Sequence, residues 1–328
     1  MSQLSCNPYS YQAPIRDPSA FFGRSAQLGF VREGIARKKK ISFVGAPRCG
    51  LSSLINRLMA PSFQAECETL AGPLQFIYVD CNLFDDPLPL LRYLLSHVAP
   101  KSPLPGTSNW RLLAGPFHSA LERMKDKRLV LLFDDFEHIG RNELFVDFVQ
   151  SLRSWAVRAD MSLITATHEP LHKVCHKDIA SSPFPNDFEV KKLGPFTSEE
   201  FTQFFQATSA LSGVDLTPYS EYILELGGRW PYFVQMACSY YYQALTNHEQ
   251  PDHDAIARHF ENEAWPQFEY IWKRLNPDER AVLRDLVDGA YVYMDRHLDL
   301  VEKGYILEGK IFSQSFARFI KSLTLVVK

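Results

Sequence analysis

The chain has 328 residues, 46% of them hydrophobic and 13% aromatic, with a formal net charge of −3. That length allows two or three domains with substantial cores, and 35 basic against 38 acidic side chains exclude a domain-scale basic field that would steer nucleic acid. No apolar run approaches the roughly 20 residues that span a bilayer. The start, Met1 to Asn7, has neither region of a secretory signal, and the cysteines at 6, 49, 67, 81, 175 and 238 form no C-x-x-C pair, so the expectation is a cytoplasmic protein with reduced thiols and no membrane association.

An N-terminal arm rich in Pro, Ser and Tyr precedes the basic run Arg37-Lys38-Lys39-Lys40, which gives way to Ile41-Ser42-Phe43-Val44, a short buried strand by pattern. The strand feeds Gly45-Ala46-Pro47-Arg48-Cys49-Gly50-Leu51-Ser52-Ser53. This matches the phosphate-loop pattern G-x-x-x-x-G-K-[ST], whose backbone N–H groups cradle phosphates while the lysine reaches the β/γ-phosphates and the hydroxyl holds Mg²⁺. Leu51 stands where the lysine belongs. Leu54, Ile55 and Leu58 continue at helical spacing, so strand, glycine loop and helix N-terminus converge as they do in anion sites. The plainer reading is a strand-turn-helix whose glycines serve only a tight turn. Cys49 reads as a small inert loop residue rather than a redox-sensitive one.

A second strand is expected over residues 76–80. Leu129-Val130-Leu131-Leu132-Phe133 then runs straight into Asp134-Asp135-Phe136-Glu137, the pattern of a parallel strand buried on both faces that delivers carboxylates at its C-terminal end, where ligands bind. Asp134 is placed to hold Mg²⁺ through water, with Ser52 as the hydroxyl ligand. Asp135 and Glu137 are the candidates for orienting an attacking water, although Glu137 reads equally as a solvated loop charge. Ser162-Leu163-Ile164-Thr165-Ala166-Thr167-His168 is a further strand. His172 and His176, four apart, have the spacing of metal ligands with His168 and Cys175 nearby, but no second cluster completes four positions, so a polar surface turn is the better account.

A last core strand is expected near Phe188, after which Thr197-Ser198-Glu199-Glu200 reads as a capped helix start. Helical pattern continues to about Asn247, where the polar break from Asn247 to Asp254 intervenes. Tyr240-Tyr241-Tyr242 falls on a helix with Phe233, Val234, Met236 and Ala237, which favours core packing over base stacking. Asn276-Pro277-Asp278-Glu279 opens another helix; a second is expected from Arg296 to Lys303, then a hairpin around Glu308-Gly309-Lys310 and a closing helix carrying Phe316, Phe319 and Ile320.

These motifs together resemble prokaryotic P-loop ATPases of the AAA+/STAND type, close to the archaeal ATPase and replication-initiator branch. Asn7-Pro8-Tyr9 and Phe21-Phe22-Gly23-Arg24 are similar to the box that lies against adenine and ribose, with Ser25 in place of the usual acidic residue. Thr167 or His168 matches the γ-phosphate sensor, and Asp135 sits where such ATPases usually carry a glutamate, one methylene longer. Gly227-Gly228-Arg229-Trp230-Pro231 resembles the lid motif whose proline packs on the base. The C-terminal part resembles a winged helix. The resemblance implies an α/β fold: a P-loop NTPase parallel-sheet core with its arm over residues 1–196, a helical lid over 197–250 and a winged-helix domain over 251–328. It implies ATP or ADP with Mg²⁺ as ligand, held by Gly23, Arg24, Gly45, Arg48, Cys49, Gly50, Leu51, Ser52, Ser53, Thr167 and Pro231.

The lost lysine weighs more on hydrolysis than on binding, because electrostatic stabilisation is most of phosphoryl-transfer catalysis and the backbone cradle does not need the side chain. Arg48 is expected to face outward rather than replace the lysine. The presumed recognition helix, Met294-Asp295-Arg296-His297-Leu298-Asp299-Leu300-Val301-Glu302-Lys303, sets three acids against two cations, unlike a DNA reader. The expectation is a nucleotide-binding switch or scaffold, at most a weak ATPase, that acts through a protein partner, effector or second copy of itself, in a signalling or bacterial defence setting. The alternatives are a DNA-binding initiator or transposition-type regulator, and a structural pseudo-ATPase subunit with an empty site.

Overall fold

The computed structural model of the protein describes residues 7–101, 106–124, 126–293 and 297–325. The chain divides into two compact units, one of Ser25–Gly45 and Leu54–Lys191, the other of Met1–Arg24, Ala46–Ser53 and Lys192–Lys328.

The first unit is built on a five-stranded sheet in the order β2-β3-β4-β1-β5, formed by β1 (Lys40–Gly45), β2 (Leu74–Asp80), β3 (Arg128–Asp134), β4 (Ser162–Thr167) and β5 (Phe188–Leu193). The pairs β2/β3, β3/β4 and β1/β4 are parallel. Every residue of β4, and all of β3 after Arg128, is buried; β3 accordingly reads as an uninterrupted apolar run, while β4 buries Ser162, Thr165 and Thr167 among its apolar residues. The register sets Asp80 beside Asp134 and Val44 beside Thr167, so the carboxyl ends of β1, β2, β3 and β4 share one edge. The chain leaves β1 and returns at β2, with β4 and β3 lying between them, and carboxyl ends at such a crossover are where open α/β sheets bind ligands. Leu91, Leu94, Phe117, Leu121, Phe148 and Trp155, from the helices Pro87–Val98, Arg111–Arg123 and Val146–Arg158, bury against Leu131 and Phe133 of β3.

The second unit is helical. Thr197 and Glu200 form a reciprocal capping box at the head of the helix Ser198–Ser212, and Asn276 and Glu279 form another at Pro277–Val287. Trp230 stacks on Tyr305 with centroids 5.5 Å apart, and Phe233 lies 4.9 Å from Phe268 and 6.0 Å from Phe312. One aromatic core therefore serves residues on both sides of the polar break at 247–252. Gly228 is indispensable to it: at φ +60° a Cβ there would lie 2.1 Å from the Phe312 carbonyl oxygen.

C-terminal to Pro277–Val287 come the helix Leu298–Glu302, an antiparallel pair β6 (Ile306–Leu307) and β7 (Lys310–Ile311), and the helix Gln314–Leu325. Glu308 and Gly309, at φ 53° and 76°, make the turn, the two positive φ values of a tight hairpin. Residues 294–296 of the expected second helix, and Cys6 of the arm, lie outside the described residues. Among the described residues no helix is long and apolar enough to cross a membrane.

Candidate functional site

In the helical unit, the loop that follows β1 carries Arg48 and Gly50 at φ 70° and 97°, and the Cys49 N–H donates to the Ala46 carbonyl at 3.2 Å. Left-handed backbone at a residue with a side chain is strained, and Arg48 adopts it while its guanidinium is held elsewhere. Its Nε donates to Gln267 Oε1 at 2.8 Å and its charge sits 4.8 Å over the Tyr232 ring. The side chain is committed to these two partners. A Cβ added at Gly50 would meet nothing within 4 Å, so the backbone there is open to approach. Leu51, the first residue of the helix Leu51–Leu58, is 7% exposed and brings no charge. Ser52 follows it, and the Ser53 hydroxyl accepts the Ile15 N–H at 3.0 Å.

Arg24, at φ 65°, is 4% exposed and spends its donors on backbone. Nη2 reaches the carbonyls of Cys49 at 3.0 Å and Gly194 at 2.7 Å, Nη1 reaches that of Pro195 at 3.4 Å, and the guanidinium lies 5.0 Å over Phe196. Burial draws its pKa below the ordinary arginine value, opposed by Cys49 and Glu200; the starting value is so high that the group stays charged. The Arg24 N–H donates to Glu200 Oε1 at 2.6 Å, and a Cβ on the preceding Gly23 would lie 3.2 Å from that oxygen. The arm docks alongside: Asn7 Nδ2 donates to Ser239 Oγ and the Ser10 N–H to Gln235 Oε1, both on the helix Pro231–Thr246 that Pro231 opens.

In the sheet unit, Asp134 ends β3, 5% exposed, and accepts from Tyr78 Oη at 3.3 Å. Asp135 follows at φ 50°, its Oδ2 accepting from Asn82 Nδ2 at 2.7 Å, and the Phe136 N–H donates to the Ala166 carbonyl of β4. Glu137 is 8% exposed, which removes the solvated-loop reading; Oε1 accepts the His168 N–H at 3.3 Å, while Oε2 is buried without a partner. The Thr167 hydroxyl is likewise buried and unpartnered, and His168 Nδ1 donates to the Gly45 carbonyl at 3.1 Å. One candidate ligand atom each of Asp135, Glu137 and His168 lies within 4.8 Å of the others. His172, Cys175 and His176 take no part in such a group among the described residues.

In the helical unit, an open glycine in a loop that leads into a helix suits backbone capture of phosphate; in the sheet unit, Glu137 and Thr167 carry buried oxygens without partners at the carboxyl edge. What the donor set lacks is a cation in the lysine position. Three contributors escape sequence reading: Gln267 and Tyr232, which hold Arg48, and Asn82, which holds Asp135. None carries a local signal, because each acts on a partner distant in sequence.

Residues 111–292 match the family described as Novel STAND NTPase 2. No curated protein matches the chain. Among solved structures, the chain is similar to the Walker-type ATPase PABY2304 of Pyrococcus abyssi, with a TM-score of 0.64 and 17% identity over 96% of this chain and 99% of that one. It is similar to the Aeropyrum pernix ORC2 protein in ADPNP-ADP complexes, with a TM-score of 0.59 and 10% identity over 98% and 99% of the two chains. A third is the Aeropyrum pernix ORC1 protein in complex with DNA, with a TM-score of 0.54 and 12% identity over 94% of each chain. At these identities the likeness is one of fold.

Proposed function

The chain belongs to the Novel STAND NTPase 2 family, and we propose that it is a nucleotide-binding regulator that holds ATP or ADP mainly through backbone groups and hydrolyses it slowly or not at all. The observation that carries this reading is Leu51: an apolar, 7% exposed side chain fills the position from which a lysine would reach the β/γ-phosphates. Backbone N–H groups and a helix N-terminus still attract phosphate, and the bound nucleotide would stabilise the fold by mass action. When bound, Mg²⁺ would neutralise developing phosphate charge, with Ser52 and Asp134 as the residues that would hold it. Asp135 and Glu137 would orient water, Thr167 would sense the terminal phosphate, and Gly23, Arg24 and Pro231 would bound the base.

Output through a protein partner in a signalling or defence setting is the reading of the C-terminal part that its charges support. In the helix Leu298–Glu302 and its end, Lys303 pairs with Glu279 at 2.8 Å, and Glu302 pairs with Lys192. A surface that commits its cations to neighbouring carboxylates has little left for phosphate backbone. These pairs weigh against carrying the fold likeness to a protein solved with DNA over to a DNA-reading role here.

The test is to denature freshly purified protein and identify released nucleotide by ion-pair chromatography and mass spectrometry. About one ADP or ATP per chain, with little steady-state phosphate release, is expected. An empty protein with no thermal shift on adding Mg-ATP would overturn nucleotide binding and leave a scaffold that stands on protein contacts.

A further inference from the structure

The carboxyl edge of the sheet holds a donor set with a chemistry of its own. Glu137 is more than nine-tenths buried with an unpartnered Oε2, and one of its carboxylate oxygens lies within 4.8 Å of a donor atom of Asp135 and of His168. An ionised carboxylate oxygen buried without a donor is costly unless a cation satisfies it. His168 gives Nδ1–H to the Gly45 carbonyl, which fixes the tautomer and leaves Nε2 with a lone pair. Imidazoles that ligate metals are commonly held this way, the far N–H anchored on a carbonyl. Asp135 is oriented from outside the trio, by Asn82 on Oδ2 and by its left-handed backbone.

We propose that Asp135, Glu137 and His168 form a binding site for a divalent transition-metal ion of the Mn²⁺ or Zn²⁺ class, ligated directly by the protein without nucleotide. One imidazole with two carboxylates suits such ions, whereas Mg²⁺ prefers oxygen donors and retains its waters. Metal–ligand bonds of about 2.1 Å put donor atoms no more than about 4.2 Å apart. The trio, within 4.8 Å, closes to that by small side-chain rotations. Asp135 and His168 are each only partly buried, which gives the ion a way in. The site shares Asp135 and Glu137 with the nucleotide reading but requires no bound nucleotide, since all three donors come from the sheet unit.

The experiment uses the full chain, stripped of nucleotide and metal, titrated with MnCl2 while free Mn²⁺ is followed by electron paramagnetic resonance. About one ion per chain is expected, with ¹⁴N modulation from a directly bound imidazole in the pulsed spectrum. His168→Ala should abolish that modulation, and both it and Glu137→Gln should weaken binding at least tenfold, on the order of what metal-site substitutions cost. His168→Gln, which retains a donor for the Gly45 carbonyl, serves as the second variant if His168→Ala fails to fold, and it too should lose the modulation. Absence of stoichiometric binding, binding without ¹⁴N modulation, or modulation that persists in a folded His168 variant would each overturn the proposal.

Discussion

Arg24 Nη2 donates to the carbonyl oxygen of Cys49 at 3.0 Å, so a buried guanidinium grips the glycine loop from the residue that closes the N-terminal arm. The same group holds Gly194 and Pro195, and the Arg24 backbone is held by Glu200. Removing it would leave three carbonyls short of a charged donor. Arg24→Ala is expected to lower the unfolding free energy by about 3 kcal/mol, read as a reduced urea midpoint. Arg24→Lys should recover less than half of the loss, because one ammonium cannot reproduce the planar fork. A loss below about 0.5 kcal/mol, the level of an ordinary surface substitution, would show that water replaces the guanidinium.

Leu51→Lys restores the missing charge. A lysine about 4 Å from a phosphate is worth about 4 kcal/mol at an effective dielectric near 20, and desolvating the ammonium in this largely buried position offsets much of it. A net gain near 1.4 kcal/mol, or roughly tenfold in ATP affinity, is expected by calorimetry. Any turnover that appears should vanish with Asp134→Asn. If neither affinity nor turnover changes, the loop does not hold phosphate.

Arg48 yields the opposite expectation. Its guanidinium is committed to Gln267 and Tyr232, so Arg48→Ala should leave the nucleotide affinity of the Leu51→Lys variant within about twofold. A double-mutant cycle of Arg48→Ala with Gln267→Ala should yield a coupling of about 0.5 kcal/mol, since the pair is exposed. Tenfold weaker binding in Arg48→Ala would mean that the arginine turns inward when nucleotide arrives.

Much of the sheet is legible in the sequence because β3, buried on both faces, leaves an apolar run that ends in carboxylates, and β4 a β-branched stretch that ends in a hydroxyl. The two capping boxes are legible for a similar reason, since cap and partner lie three residues apart. What is hidden is long in range. Gln267 lies 219 positions from Arg48, and Asn82 lies 53 from Asp135. Glu200 can be read as a capping residue, but its hold on the Arg24 N–H, 176 positions away, has no trace in local pattern. The solvated-loop alternative for Glu137 fails for a related reason: its burial depends on the chain around β4, where it meets the His168 N–H.

The buried thiols set the behaviour at alkaline pH. Burial pushes Cys49 up to about 11 despite the opposing charge of Arg24, raises Cys67 and Cys175 to about 12, and raises Cys81 and Cys238 well above the ordinary value. An unfolded thiol ionises near 8.5. Below that pH both states are protonated and the native state keeps its full advantage; above it the unfolded chain sheds protons that the native chain retains, so stability falls as pH rises. Each protected thiol contributes a slope of about 1.4 kcal/mol per pH unit until its own native pKa is reached. The melting temperature should therefore decline steeply from pH 8.5 to 10.5, and Cys49→Ser should flatten part of that slope. At pH 8, iodoacetamide labelling read by peptide mass spectrometry should leave Cys49 unmodified in the native protein and modify it after denaturation. Rapid native labelling of Cys49 would mean that the loop opens and that the Arg24 contact to its carbonyl is broken for much of the time.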